Sequence, residues 1–97
     1  MGYKLSVAAE NDIQQIAEIG IELFGIEQAW HYHEALFEIF DLLADNPRMA
    51  RERFEISPPV RIHPYKAHLI VYTVDEQDDI LIVRVRHGHE DWATPAQ

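Results

Sequence analysis

The sequence predicts an α+β fold: a short N-terminal strand, an antiparallel helical hairpin and then a three-stranded antiparallel sheet, with the helices on one sheet face. Three observations lead to this prediction. Residues 66–87 read as two strands around a polar turn. Residues 9–44 carry apolar side chains at helical spacing, with a break at Gly25. Residues 3–7 alternate apolar and polar side chains, as a half-buried strand does.

Two helices are predicted before the sheet. The first carries an apolar stripe from Ala9 to Phe24 and ends at Gly25, a residue type that terminates helices well. The second ends at residues 45–47, because a residue that precedes a proline avoids the helical region. A connection this short makes the two helices an antiparallel hairpin. Its joint apolar surface, which includes Trp30, is the expected cover for the sheet.

The strand pairing is predicted from the polar turn at residues 75–79, with Val74 opposite Ile80. One face then carries the pairs Tyr72–Ile82, Ile70–Arg84 and His68–Arg86, and the other carries Thr73–Leu81, Val71–Val83, Leu69–Val85 and Ala67–His87. The second face is almost entirely apolar, so we expect the helices to cover it. A turn at Pro64–Tyr65 adds a strand with Ile62 opposite Ala67, Val60 opposite Leu69 and Arg61 opposite His68. Residues 48–59 are predicted to be an irregular connection.

Length and composition predict one domain over residues 1–97, with a frayed tail at 91–97. No cysteine occurs, so disulfides and thiolate chemistry are excluded. No apolar run is long enough to span a bilayer, and no signal peptide is visible.

The charge of the chain is distributed unevenly. The net charge is −9; residues 1–47 hold nine acids and Lys4 alone as a base, whereas residues 48–97 hold eight acids and seven bases. Such a chain is poorly suited to bind free nucleic acid, because contacts to phosphates require Lys and Arg. The helix acids are expected to form a solvated face.

The polar end of the sheet is the predicted location of function. Four cationic side chains are expected to cluster there: Arg61, His68, Arg84 and Arg86. They fit a patch for an acidic partner or a phosphate, and equally an exposed sheet face with ordinary charges. On the same face, Ile70, Tyr72 and Ile82 form an apolar patch of the kind that marks an interaction site.

The tail and the histidines offer weaker candidates. Trp92 is either an anchor for a partner or a cap on the sheet edge. His87 and His89 share a strand face but lack a third ligand, so no metal site is predicted. No glycine-rich phosphate loop and no HExxH motif occur, and no cofactor is predicted.

Four motifs occur in a specific order: VAAENDIQQI opens the first helix, LADNP closes the second, Arg61 precedes HLIVY, and RVRHG precedes Asp91. In this order and spacing they resemble the ParE toxins of bacterial toxin–antitoxin modules, within the RelE/ParE superfamily, over most of the chain. The chain departs from that pattern in three ways. Met49–Ala50 stands where a glycine is common, His89–Glu90 stands where basic residues are common, and the chain is acidic where these proteins are often basic.

The resemblance implies a cytoplasmic toxin that poisons DNA gyrase and is held inactive by a ParD-like antitoxin in a hetero-oligomer. It implies no membrane partner, no cofactor and no catalytic residue. The residues predicted to contact the target or the antitoxin are Arg61, His68, Ile70, Tyr72, Ile82, Arg84, Arg86 and Trp92.

Two alternatives stay open. One is a ribosome-dependent mRNA interferase of RelE type. This chain lacks the lysine cluster and the late tyrosine of those relatives, but Glu55, Arg84 and His87 could imitate a Glu–Arg–His nuclease set. The other is an acidic, non-toxic interaction module that mimics nucleic acid.

Overall fold

The computed structural model describes residues 2–88. The elements are β1 (Tyr3–Leu5), α1 (Val7–Phe24), α2 (Ile26–Asp45), β2 (Glu52–Arg53), β3 (Val60–Tyr65), β4 (His68–Val74) and β5 (Ile80–His87). The strands form one mixed sheet in the order β1-β5-β4-β3-β2. β1 runs parallel to β5, and the other neighbouring strands are antiparallel. Trp92 and the predicted frayed tail lie outside the described residues.

The α+β class and the two helices are confirmed, but the sheet is larger than predicted. β1 joins it beside β5, with Tyr3 opposite Ile80. Glu52–Arg53 pairs with β3 and extends the other edge, although residues 48–59 were predicted to be irregular. A strand of two residues is too short for alternation to be visible in the sequence.

The helix boundaries follow from local chemistry. Ser6 caps α1, since its hydroxyl accepts a hydrogen bond from the Ala9 N–H at 2.9 Å. Gly25 ends α1 with a φ of 88°, a conformation that favours glycine, and its N–H donates to the Ile21 carbonyl. Asn46 ends α2, as predicted.

The helices pack on the sheet face opposite to the predicted one, although Val85, which was predicted to face them, does lie in the core. The core side chains, all 6% exposed or less, are Ala9, Ile13, Leu36, Phe40, Leu43, Ala44, Ile70, Tyr72, Ile80, Ile82 and Val85. Ile70, Tyr72 and Ile82 therefore lie under the helices and cannot form the exposed patch that was predicted. Both faces are apolar near the turn, so alternation gives the period of the strands and leaves open which face is covered.

A β-bulge at Val83 changes the register of the main hairpin. Val74–Ile80, Thr73–Leu81 and Tyr72–Ile82 pair as predicted, but Val71 then pairs with Arg84, and Val83 is the extra residue. Beyond the bulge the pairs are Ile70–Val85, Leu69–Arg86 and His68–His87. The predicted pairs there were wrong by one residue.

The turn between β3 and β4 also lies two residues later than predicted. Tyr65 pairs with His68, and Lys66 takes a positive φ of 53° in the turn. Pro64 is therefore a strand residue. Within the described residues, β2 pairs with Val60 and Arg61 of β3 and does not reach Pro64. The N–H that proline lacks therefore costs no hydrogen bond to a neighbouring strand.

The start of α1 holds the bulge in place. The Ser6 hydroxyl donates to the Val83 carbonyl at 2.7 Å. Asp12 accepts a hydrogen bond from the Val85 N–H at 3.0 Å and two from the Arg84 guanidinium, at 2.8 and 2.9 Å. The prediction that Arg84 faces away from the helices is therefore wrong. These contacts provide hydrogen-bond partners for the Val83 carbonyl and the Val85 N–H, at the part of the β5 edge that β1 does not reach.

Two opposing effects set the pKa of Asp12. Burial raises this pKa, but the hydrogen bonds from Arg84 and Val85 and the positive charges of Arg84 and Arg86 together outweigh burial, so the pKa lies below its ordinary value of 3.8. The resulting stabilisation is present at pH values above 3.8. It is lost as the pH falls through the folded-state pKa.

We expect Asp12→Asn to lower the free energy of unfolding by about 1–3 kcal/mol, because it weakens charge-assisted hydrogen bonds to the half-buried Arg84. The variant should also lose less stability than the wild type on acidification. Urea unfolding at neutral and acidic pH measures both effects. Glu22→Gln, which neutralises an exposed acid of the same helix, is the control. Equal stability of the two variants would contradict the structural role of Asp12.

Candidate interaction site

A cleft of about 640 Å³ lies between the helical hairpin and one end of the sheet. Both helices and the ends of β4 and β5 line it; the principal side chains are Ile16, Leu23, Phe24, Tyr32, Leu36 and His68. Gly20 allows the helices to approach, since a Cβ there would lie 3.3 Å from the Ala29 Cβ. Fully buried residues of α1 stop at Ile13, so the rest of this helix extends beyond the core.

The turn of the hairpin carries an exposed apolar surface, which we call the tip patch: Ile19, Leu23, Phe24, Ile26 and Trp30. These side chains are 56–70% exposed. The prediction that Trp30 lies in the core is wrong, because this residue is 59% exposed. Its ring stacks on the His33 ring, with the two ring centres 5.8 Å apart. A signal for the patch was present in the sequence, because apolar residues near Gly25 occupy more directions than one helix face can bury.

Three of the four predicted cationic residues do meet. His68, Arg84 and Arg86 line the sheet end of the cleft, together with Lys66 and His87. They come together because β4 and β5 pair up to His68 and His87, and because the β3–β4 turn brings Lys66 alongside. Lys66 is exposed, and its Nζ lies 5.7 Å from the Tyr65 ring centre.

Arg61 lies elsewhere. Its Nη1 donates to the Ala50 carbonyl at 2.6 Å, and its Nη2 lies 3.9 Å from Glu52. The Tyr72 hydroxyl donates to the nearby Pro47 carbonyl at 2.9 Å. Arg61 and Tyr72 thus hold the connection between α2 and β2 in place, and neither lines the cleft.

A tyrosine and a histidine join α2 to the sheet at the cleft wall. The Tyr32 hydroxyl oxygen lies 2.6 Å from Nδ1 of His68. The His68 ring lies edge-on to the His87 ring, with the two ring centres 5.7 Å apart. Burial, with a smaller effect of Tyr65, raises the pKa of Tyr32 to about 12. The phenol therefore keeps its proton at neutral pH.

The residues of the alternative nuclease set do not assemble. Glu55 is exposed, and its hydrogen bond from Arg53 lowers its pKa. It lies beyond β2, three strands away from β5, a separation of about 14 Å at ordinary strand spacing. Arg84 and His87 are on β5, and Arg84 is engaged by Asp12.

Residues 2–88 contain no group of three or more His, Cys, Asp or Glu side chains placed to hold a metal ion. His89 lies outside this range. None of the helices described in this part of the chain is both long and apolar enough to cross a membrane.

Comparison with known proteins agrees with this architecture. The family model for the ParE toxin of the type II toxin–antitoxin system parDE matches residues 3–92. The protein named Toxin ParE1, in two strains of Mycobacterium tuberculosis, is 34% identical over 89 residues, which cover 92% of this chain and 91% of that protein. A solved structure of the chromosomal ParDE TA system from P. aeruginosa superposes with a TM-score of 0.77 at 21% identity, covering 90% of this chain and 95% of the other.

The fold and the cleft define a small α+β protein in which a helical hairpin and a mixed sheet border a largely apolar cleft. The match to the solved structure establishes the fold. The family model covers most of the chain, and the chain belongs to the ParE toxin family of type II toxin–antitoxin systems.

We expect Tyr32→Phe to lower the free energy of unfolding by about 0.5–1.5 kcal/mol, because it removes the hydrogen bond to His68. The raised pKa adds a signature at alkaline pH. The wild type should lose stability between the ordinary phenol pKa of 10.0 and about 12, since the folded protein favours the protonated phenol.

Urea unfolding across this alkaline range and ultraviolet titration of the phenols measure these effects. Tyr65→Phe is the matched control: it removes a hydroxyl from a neighbouring ring and only the smaller cause of the raised Tyr32 pKa, so most of the alkaline loss of stability should remain. A Tyr32→Phe variant with the alkaline stability profile of the wild type would contradict the assignment.

Proposed function

We propose that this ParE-family toxin poisons DNA gyrase and that a ParD-like antitoxin neutralises it by occupying the cleft. The observation that carries the proposal is the cleft with its tip patch. Apolar surface of this extent, bordered by polar groups, marks protein–protein binding sites. Both proposed partners are proteins, so recognition suffices and no set of reacting groups is required.

The position of this surface replaces the docking site predicted from the sequence. Ile70, Tyr72 and Ile82 are in the core, whereas Leu23 and Phe24 are 67% and 62% exposed. A helical segment of the antitoxin fits the cleft, because its apolar side chains can pack between the hairpin and the sheet end.

The cationic side chains at the sheet end of the cleft link target binding to neutralisation by the antitoxin. Lys66, Arg86 and His87 border the same surface as the apolar wall. We assign them to the contact with the target, and a segment that fills the cleft would cover them. Neutralisation then requires occupancy of one surface and no rearrangement of the toxin fold.

The mRNA interferase alternative has less support. The net charge of −9 opposes approach to phosphates. Among residues 2–88, Glu55 is separated from Arg84 and His87 by the width of the sheet. The non-toxic acidic module also fits less well, because apolar side chains are interleaved with the hairpin acids, whereas a nucleic-acid mimic requires mainly charge.

Purified toxin should inhibit supercoiling by gyrase or trap cleaved DNA, and the product of the neighbouring reading frame should relieve this inhibition. We expect Lys66→Gln combined with Arg86→Gln to weaken inhibition by about tenfold, because two charged contacts to the target are lost. Lys4→Gln, an exposed cation on β1, is the matched control and should inhibit normally.

Two outcomes would contradict the proposal. Rapid, codon-positioned mRNA cleavage on ribosomes with gyrase unaffected would favour the interferase. The absence of any effect on gyrase or on translation, with stable binding of the neighbouring gene product, would favour the non-toxic module.

A further inference from the structure

We propose that the cleft between the helical hairpin and the sheet end also binds a small organic anion, a molecule with a flat apolar body and one anionic head group. This ligand is distinct from the two proteins proposed as partners, and its binding requires neither of them. The proposal rests on two properties of the cleft, an apolar wall and a cationic end.

The charge of the cleft is opposite in sign to that of the chain. Among the described residues that line the cleft, Lys66, Arg84 and Arg86 are basic and only Asp12 is acidic, a balance of +2 with the histidines neutral. The whole chain has a net charge of −9. An anion is therefore repelled by most of the surface and attracted to this cleft, where apolar walls strengthen the field of the cations.

The cationic end of the cleft is built on paired strands. β4 and β5 stay paired as far as His68 and His87, and Arg86 lies within this paired segment. The Gly88 N–H extends the pairing, since it donates to the Ala67 carbonyl at 2.7 Å. An anionic head group bound there requires little rearrangement of the backbone, which limits the entropy lost on binding.

Two contacts of the cleft wall determine which side chains serve the head group. Asp12 accepts two hydrogen bonds from the Arg84 guanidinium and offsets its charge, so the balance of +2 is supplied by Lys66 and Arg86. The Tyr32 hydroxyl lies 2.6 Å from Nδ1 of the imidazole on β4. With the phenol as donor, the neutral imidazole carries its proton on Nε2 and is a hydrogen-bond donor there.

The rest of the cleft suits the apolar body of such a ligand. Ile16, Leu23, Phe24 and Leu36 line it beside the ring of Tyr32. Its volume of about 640 Å³ lies within the ordinary range for small-molecule sites, roughly 300–1,000 Å³. Such sites combine a mainly apolar lining with a few converging polar groups. A molecule with an apolar body and an anionic head group therefore uses both parts of the cleft.

Other anions fit this combination less well. Inorganic phosphate has no apolar body and would leave the apolar wall in water. A nucleic-acid strand or an anionic membrane surface would bring many negative charges against a chain with a net charge of −9. A small molecule with one head group meets the cations with the least repulsion from the acids elsewhere on the surface.

The tip patch is a poor site for the same ligand, because its neighbours are acidic. Exposed Glu22 precedes Leu23, and exposed Glu27 follows Ile26. Helices α1 and α2 contain no Lys or Arg. An uncharged apolar molecule can bind at the tip patch, whereas an anion is repelled there. A charged and an uncharged probe therefore distinguish the two surfaces.

Two fluorescent probes test the proposal. Anilinonaphthalene sulfonate has flat apolar rings and one sulfonate, and phenylnaphthylamine has the same rings without the sulfonate. Fluorescence titration of the full chain at low salt should show one site for the sulfonate probe. Its binding should be at least about tenfold tighter than that of the uncharged probe, because charge-assisted hydrogen bonds add to the same apolar burial. The preference should shrink as salt screens the cations.

Matched charge variants locate the sulfonate. Lys66→Gln with Arg86→Gln should weaken its binding by about tenfold and leave the affinity of the uncharged probe within about twofold. Lys4→Gln with Arg51→Gln removes the same two charges elsewhere. Lys4 pairs with Leu81 near the start of β5, and Arg51 precedes β2 at the opposite edge of the sheet. This control should leave both affinities within about twofold.

A variant of the tip patch separates the cleft from the other apolar surface. Ile26 and Trp30 belong to the tip patch, are 70% and 59% exposed, and do not line the cleft. Ile26→Ser with Trp30→Ser should therefore leave sulfonate binding within about twofold. Circular dichroism of each variant measures whether its fold is retained.

Equal or tighter binding of the uncharged probe, or no binding of the sulfonate to the wild-type chain, would overturn the proposal without any variant. Loss of sulfonate binding in the tip-patch variant, or an equal loss in the two charge variants, would also overturn it. The titration uses the toxin alone, so its failure leaves the proposed action on gyrase standing. Sulfonate binding by a toxin that has no effect on gyrase would reject the proposed target alone.

Discussion

The bulge of β5 at Val83, held by the first two turns of α1, is the constraint on which the rest of the structure depends. Ser6 caps the helix and bonds the Val83 carbonyl with the same hydroxyl. Asp12 then takes up the Val85 N–H and the guanidinium of Arg84. Because β1 pairs only with the first three residues of β5, these side chains satisfy the edge that β1 leaves open. The first two turns of α1 are thereby fixed to β5.

That anchoring explains why the protein has a cleft. The base of the hairpin buries Ala9, Ile13 and Phe40 in the core, but α1 and α2 continue past it towards Gly25. Side chains near Gly25, such as Leu23, Phe24 and Ile26, remain largely exposed. The bulge also directs β5 so that Arg86 and His87 arrive beside the apolar wall. One backbone irregularity therefore sets both the open apolar surface and its cationic border.

The free toxin accordingly keeps two unfavourable features together: apolar surface in water and like charges on one hairpin. A partner that covers the tip patch removes the first. Both features belong to the helical hairpin. The tertiary role of Asp12 differs from that of the other hairpin acids, because it alone among them is tied to an Arg of the sheet.

Local sequence patterns determined the elements of this protein. The break at Gly25, the stop at Asn46 and the turn at residues 75–79 follow from backbone chemistry that acts over a few residues. The motif order identified the family. Tertiary structure decided the covered sheet face, the bulge at Val83 and the edge position of Pro64, because each depends on contacts between segments far apart in the chain. Burial of Ile70 and exposure of Trp30 followed from those contacts, since alternation and helical period state which residues share a face but not what covers it.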